Sequence, residues 1–77
     1  MNPRIKEVYP LDNYQLNLVF TNGESKIFDV KPYLHIGVFK SLNNQEIFKS
    51  VRPFLGSIIW NNNIDLCPDT LYLESTK

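Results

Sequence analysis

Scarcity shapes this chain more than any motif does. It has one cysteine, Cys67, so no disulfide can form within the chain. Its lone histidine, His35, cannot complete a four-ligand zinc site with Cys67, even with Asp65 added. The three glycines (23, 37, 56) are scattered, which excludes a glycine-rich phosphate loop. Charge of either sign is not in excess: eight basic residues face eight acidic ones. That balance argues against a nucleic-acid binder, which ordinarily carries a basic excess on one face. The longest nearly apolar run, "FLGSIIW", is far too short to cross a bilayer, and "MNPRIKEVYP" has no apolar core of a signal peptide. A soluble cytoplasmic protein is expected, and a lone thiol fits a reducing compartment.

What is present is aromatic. Five Phe, four Tyr and one Trp in 77 residues supply most of the material for a core, each burying roughly 150–250 Å² when internal. A chain of this length makes one domain, 1–77, of modest stability. "RIKEVYP" reads as a first strand stopped by Pro10. In "YQLNLVF", Tyr14, Leu16, Leu18 and Phe20 alternate with polar residues, the period of a strand with one buried face. Asn22-Gly23 signals a two-residue hairpin turn, because both central positions of that turn need positive φ. With such a loop Leu18 faces Ile27, Val19 faces Lys26, and Phe28 falls on the opposite face beside Asn17.

A run of short helical turns follows. Asp29 can cap "VKPYL", with Pro32 in the first turn, and "GVFKSL" adds another turn. Asn43 and Glu46 form a capping-box-like start for "NQEIFKSV", which Pro53 ends. "FLGSIIW" is expected as one buried strand, "NNN" as a turn and "IDL" as a short return strand. Pro68 suits the first position of a closing helix, with Asp69 near the positive end of its dipole. The expected class is α+β: an antiparallel sheet of about four to five strands with two or three short helices.

The segment "IIWNNNIDLCPDTLY" is the most chemically loaded stretch. Asn61, Asn63 and Asp65 occupy the first, third and fifth positions of a calcium loop. However, the obligatory glycine is Leu66 and the bidentate glutamate is Tyr72, so calcium is excluded. Cys67 precedes Pro68 as a cap would, and a structural thiol outweighs a nucleophile paired with His35. Asp65 and Asp69 are each explained singly, by the turn and by the helix dipole, rather than as an acid–base couple. The stretch reads as strand, tight turn, strand and capped helix, with Trp60 half core and half rim. No catalytic residue, metal or cofactor is expected.

Three pieces in order, "VYPLDNYQLNLVFTNGESKIFDVKPYL", "GVFKSLNNQEIFKSV" and "IIWNNNIDLCPDTLY", carry a resemblance over nearly the whole chain. The pattern resembles the small bacterial domain-of-unknown-function family 2442. "WNNNIDL" departs from it where members often carry proline and glycine in the turn. The resemblance implies a small α+β domain without catalytic or cofactor residues to transfer. Some members resemble the front half of longer proteins with a helix-turn-helix, which these 77 residues do not contain. Others are encoded beside a small protein of domain-of-unknown-function family 4160, as in a toxin–antitoxin pair.

The leading expectation is a non-catalytic protein-binding or regulatory module with a small protein partner. Its contact candidates are Trp60, Tyr72 and Phe39, aromatics being enriched at binding hot spots. A symmetric homodimer is a second mode of association. One alternative is a nucleic-acid accessory using Lys26, Lys31, Lys40, Lys49 and Arg52, a less favoured partner class. The other is a small enzyme centred on Asp65, Asp69, Cys67 or His35.

Overall fold

Strict alternation in one strand organises the front half of the chain. The computed structural model describes residues 2–76. Strands β1 (Ile5–Leu11), β2 (Gln15–Phe20) and β3 (Ser25–Asp29) form an antiparallel sheet in the order β1-β2-β3. Leu16, Leu18 and Phe20 on central β2 are fully buried, while the residues between them are partly exposed. Val8 lies opposite Leu18 across a bulge-containing pairing, and Phe28 lies opposite Leu16. Pro10 does not stop β1. It sits within an edge strand, where its missing N–H is tolerated.

The β2–β3 turn differs from the two-residue expectation. Phe20 N–H bonds Glu24 O at 2.8 Å and Gly23 N–H bonds Phe20 O at 3.0 Å, so Thr21, Asn22 and Gly23 make a three-residue loop. Only Gly23 takes positive φ, at +91°, as in a type I turn closed by a bulge. Asn22 Oδ1 accepts Glu24 N–H at 3.0 Å, a side-chain copy of a backbone turn. The extra loop residue moves the register by one, which exchanges the two faces of β3. Leu18 therefore meets Lys26 and Asn17 meets Ile27, and Phe28 rather than Ile27 enters the core.

Two 3-10 segments, Lys31–Tyr33 and Gly37–Asn43, then lead to α1 (Gln45–Lys49). The N-cap of the first segment is Val30 rather than Asp29, which stands one residue earlier and accepts Lys31 N–H on Oδ1 at 3.0 Å. The cap of α1 is Asn44, whose Oδ1 accepts Glu46 N–H at 2.9 Å, not Asn43. Asn43 is committed elsewhere: its Nδ2 donates to Leu34 O and Lys40 O, and its carbonyl accepts from Tyr14 Oη at 2.6 Å.

A second antiparallel sheet, β4 (Arg52–Phe54), β5 (Ser57–Ile59) and β6 (Asp65–Leu66), replaces the single strand expected through "FLGSIIW". Leu55 (φ +49°) and Gly56 (φ +83°) turn the chain back between Phe54 and Ser57. Two positive φ values are what a two-residue hairpin of primed type demands. The asparagine turn repeats the β2–β3 pattern: Asn63 N–H bonds Trp60 O at 3.0 Å, Trp60 N–H bonds Ile64 O at 2.9 Å, and Asn63 takes φ +64°. Helix α2 (Pro68–Glu74) closes the chain.

Ile5 N–H bonds Gly56 O at 2.9 Å, tying β1 to the β4–β5 hairpin. One core, built from Leu16, Leu18, Phe20, Phe28, Leu42, Phe48, Ile58, Trp60 and Leu71, joins both sheets and both helices. The class is α+β as expected, with six described strands in two sheets rather than four to five in one.

Candidate functional site

Beyond that core, residues of the second sheet, the start of α2 and Arg4 line a cleft of about 400 Å³. The β4–β5 hairpin supplies one wall through Phe54, Leu55 and Ser57. The corner from β6 into α2 supplies the other through Asp65, Leu66, Cys67 and Pro68. Arg4 crosses the mouth: a Cβ on Gly56 would lie 2.7 Å from its Cδ, so the absence of a side chain there gives the arginine its seat. Ser57 Oγ donates to Leu66 O and pins the two walls together. Asn2 Nδ2 donates to Asp69 Oδ1 at 3.3 Å, drawing the N-terminal segment toward α2.

Arg4 and Asp65 bring both signs of charge to a lining that is otherwise mostly apolar. Phe54 is 44% exposed and Leu55 83% exposed, although both are large hydrophobic residues. Arg4 and Asp65 carry opposite charges but make no ion pair with each other. Among the described residues the one ion pair is Lys31–Asp29, at 3.2 Å. Among the described residues no three His, Cys, Asp or Glu side chains approach closely enough to hold a metal ion. Cys67 is exposed in the cleft, whereas His35 lies in an exposed loop between the 3-10 segments. Asp69 bonds Asn2 while Asp65 lines the cleft.

The three aromatic candidates sit in three different settings. Trp60 has no exposed surface, and its indole N–H donates to Phe48 O at 3.1 Å. Its expected rim half is therefore corrected: a flat, amphipathic ring found a buried carbonyl acceptor and the core took it whole. Tyr72 is half-buried on α2. Its Oη donates to Glu24 Oε1 at 2.7 Å, its ring meets Phe20 edge-on at 5.1 Å, and Lys26 Nζ lies 3.7 Å from the ring centre. The bond to Glu24, then burial, raises the Tyr72 phenol above its ordinary range. Phe39 is half-buried against Tyr33, 5.6 Å between ring centres. Tyr33 in turn donates to Glu74 at 2.8 Å; burial, then that carboxylate, pushes its phenol up to about 12.

The five cations considered for nucleic acid are likewise divided. Lys26 serves Tyr72, Lys31 serves Asp29 and the Asn13 carbonyl, and Arg52 donates to Asn61 Oδ1 at 3.1 Å. Sequence reasoning missed Phe54 and Leu55. The available signal was Gly56 alone, an isolated glycine interrupting an apolar strand-like run.

No helix among the described residues is long and apolar enough to cross a membrane. No curated protein and no solved structure matches the chain. The model of one family, described as protein of unknown function (DUF2442), matches residues 5–77, nearly the whole length. The chain belongs to that family.

Proposed function

We propose that this protein is a non-catalytic protein-binding module that acts by docking a small protein, as the neutralising or regulatory member of a pair. One observation carries the reading: Leu55 sits at positive φ and 83% exposed on the β4–β5 tip. For a leucine the left-handed region costs roughly 1–2 kcal/mol, and glycine or asparagine would serve the turn better. An apolar side chain held in water at a strained position works against the stability of the isolated fold, which is how a contact residue behaves. Phe54 beside it widens the apolar tip, and the cleft behind supplies depth. The dispersal of the cations over separate elements favours apolar docking over phosphate contacts. Tyr72 and Phe39, half-buried at other places, are secondary contact candidates.

The test uses a purified small protein of domain-of-unknown-function family 4160, the kind encoded beside some members of this family, in calorimetric titration against wild type and Leu55→Asn. Asn-Gly is the favoured dipeptide for this turn, so the variant keeps the fold. Binding by the wild type and a loss of about tenfold or more in the variant is the expected result, since truncating a hot-spot residue costs at least that much. Equal affinity for both would remove the hairpin tip from the site.

A further inference from the structure

We infer that the hairpin tip and the cleft beside it form a self-complementary patch, through which two copies of this chain dock about a twofold axis. The inference rests on the protein-binding reading above and names an occupant for that site. In such a contact, residue i of one copy meets j of the other, and j meets i, so each interaction occurs twice. The patch has the parts this requires. Leu55 projects into solvent immediately beside a cleft of about 400 Å³ whose apolar lining includes Phe54, Leu66 and Pro68. A leucine and its partner's leucine can therefore pass each other and pack against those walls.

Charge points to the same occupant. Arg4 and Asp65 both line this cleft, and among the described residues neither has an ion-pair partner. A second copy turned about the axis brings its Asp65 to Arg4 and its Arg4 to Asp65. An unrelated partner must evolve that layout, whereas a second copy has it by construction. The chain also carries no net charge, so two copies approach without long-range repulsion. The other large exposed apolar residues, Tyr9, Leu11, Ile36, Val38 and Leu73, lie outside the lining of this cleft.

Sedimentation equilibrium from about 10 μM to about 1 mM spans the range over which a small interface changes occupancy. The mass is expected to rise from monomer to dimer across it and no further. Leu55→Asn keeps the wild-type circular dichroism and stays monomeric. Arg4→Glu and Asp65→Lys each weaken association about tenfold, and the double variant recovers it, as expected of a charge pair meeting across an interface. Cys67, exposed in the cleft of the monomer, reports independently: its reaction with a neutral thiol reagent slows in step with the dimer fraction.

A chain that stays monomeric at the top of the range overturns the inference. So does a dimer whose strength ignores Leu55 or whose Cys67 reacts at an unchanged rate. Neither result touches the broader reading, which stands as long as a different protein binds in a Leu55-dependent manner. Loss of both kinds of binding would end the two together.

Discussion

Trp60→Ala and Trp60→Phe separate two contributions to the core. The indole has no exposed surface and donates to Phe48 O at 3.1 Å. Truncating a buried tryptophan to alanine costs about 3–5 kcal/mol. A buried carbonyl deprived of its donor adds roughly 1–3 kcal/mol. A chain of 77 residues, at about 0.05–0.15 kcal/mol per residue, has roughly 4–12 kcal/mol to lose. Trp60→Ala is therefore expected to leave much of the population unfolded. Trp60→Phe keeps most of the apolar fill and loses the N–H, so about 2–3 kcal/mol is expected. Far-UV circular dichroism in urea is the assay, because the substitution removes the single tryptophan and with it the fluorescence signal. With a slope of about 1–1.5 kcal/mol per molar, the midpoint should fall by about 2 M. A Trp60→Phe midpoint unchanged from wild type would refute the placement of the ring and return it to the rim.

The twin turns give an internal exchange. Asn63 and Gly23 occupy the same left-handed position in loops closed by the same pair of hydrogen bonds. Asn63→Gly should stabilise by about 0.5 kcal/mol and Gly23→Asn should destabilise by about as much, after the entropy of glycine in the unfolded chain is counted. Thermal unfolding of both variants checks this, and shifts of the same sign would contradict it. At alkaline pH, Tyr33 gives a second handle. Burial and the Glu74 carboxylate push its phenol up from 10.0 to about 12, so the folded state holds its proton longer. Stability should be full below pH 10 and decline as the pH rises toward 12, and Tyr33→Phe should make that decline shallower. Urea midpoints across that window decide it; identical slopes for the two proteins would show that Tyr33 is not shielded.

Fold class, the alternation of β2 and the proline start of α2 were all legible in the residues. Register was not. Asn22-Gly23 is compatible with a two-residue loop and with a three-residue loop ending in glycine. What decides between them is whether Ile27 or Phe28 fills the core, a tertiary question. Asn43 and Asn44 compete for one cap, and the winner depends on carbonyls at Leu34 and Lys40 that only the folded chain brings near. The β4–β5 hairpin was hidden for a more informative reason. Local rules do not place leucine in the first position of such a turn, and the site they fail at is the proposed docking tip.

The first sheet has little to offer as a template for joining copies strand to strand. On one side β1 carries Pro10, and its start is held by Gly56. On the other side Ile27 already exchanges backbone hydrogen bonds with Thr76, while Lys26, opposite buried Leu18, holds its charge over Tyr72 where an incoming sheet would have to desolvate it. Exposed strand edges propagate into open-ended polymers, because each addition regenerates the edge it consumed. With both edges occupied or charged, growth by that route is blunted at every step. Crowding this protein in solution should therefore yield small closed assemblies rather than fibres.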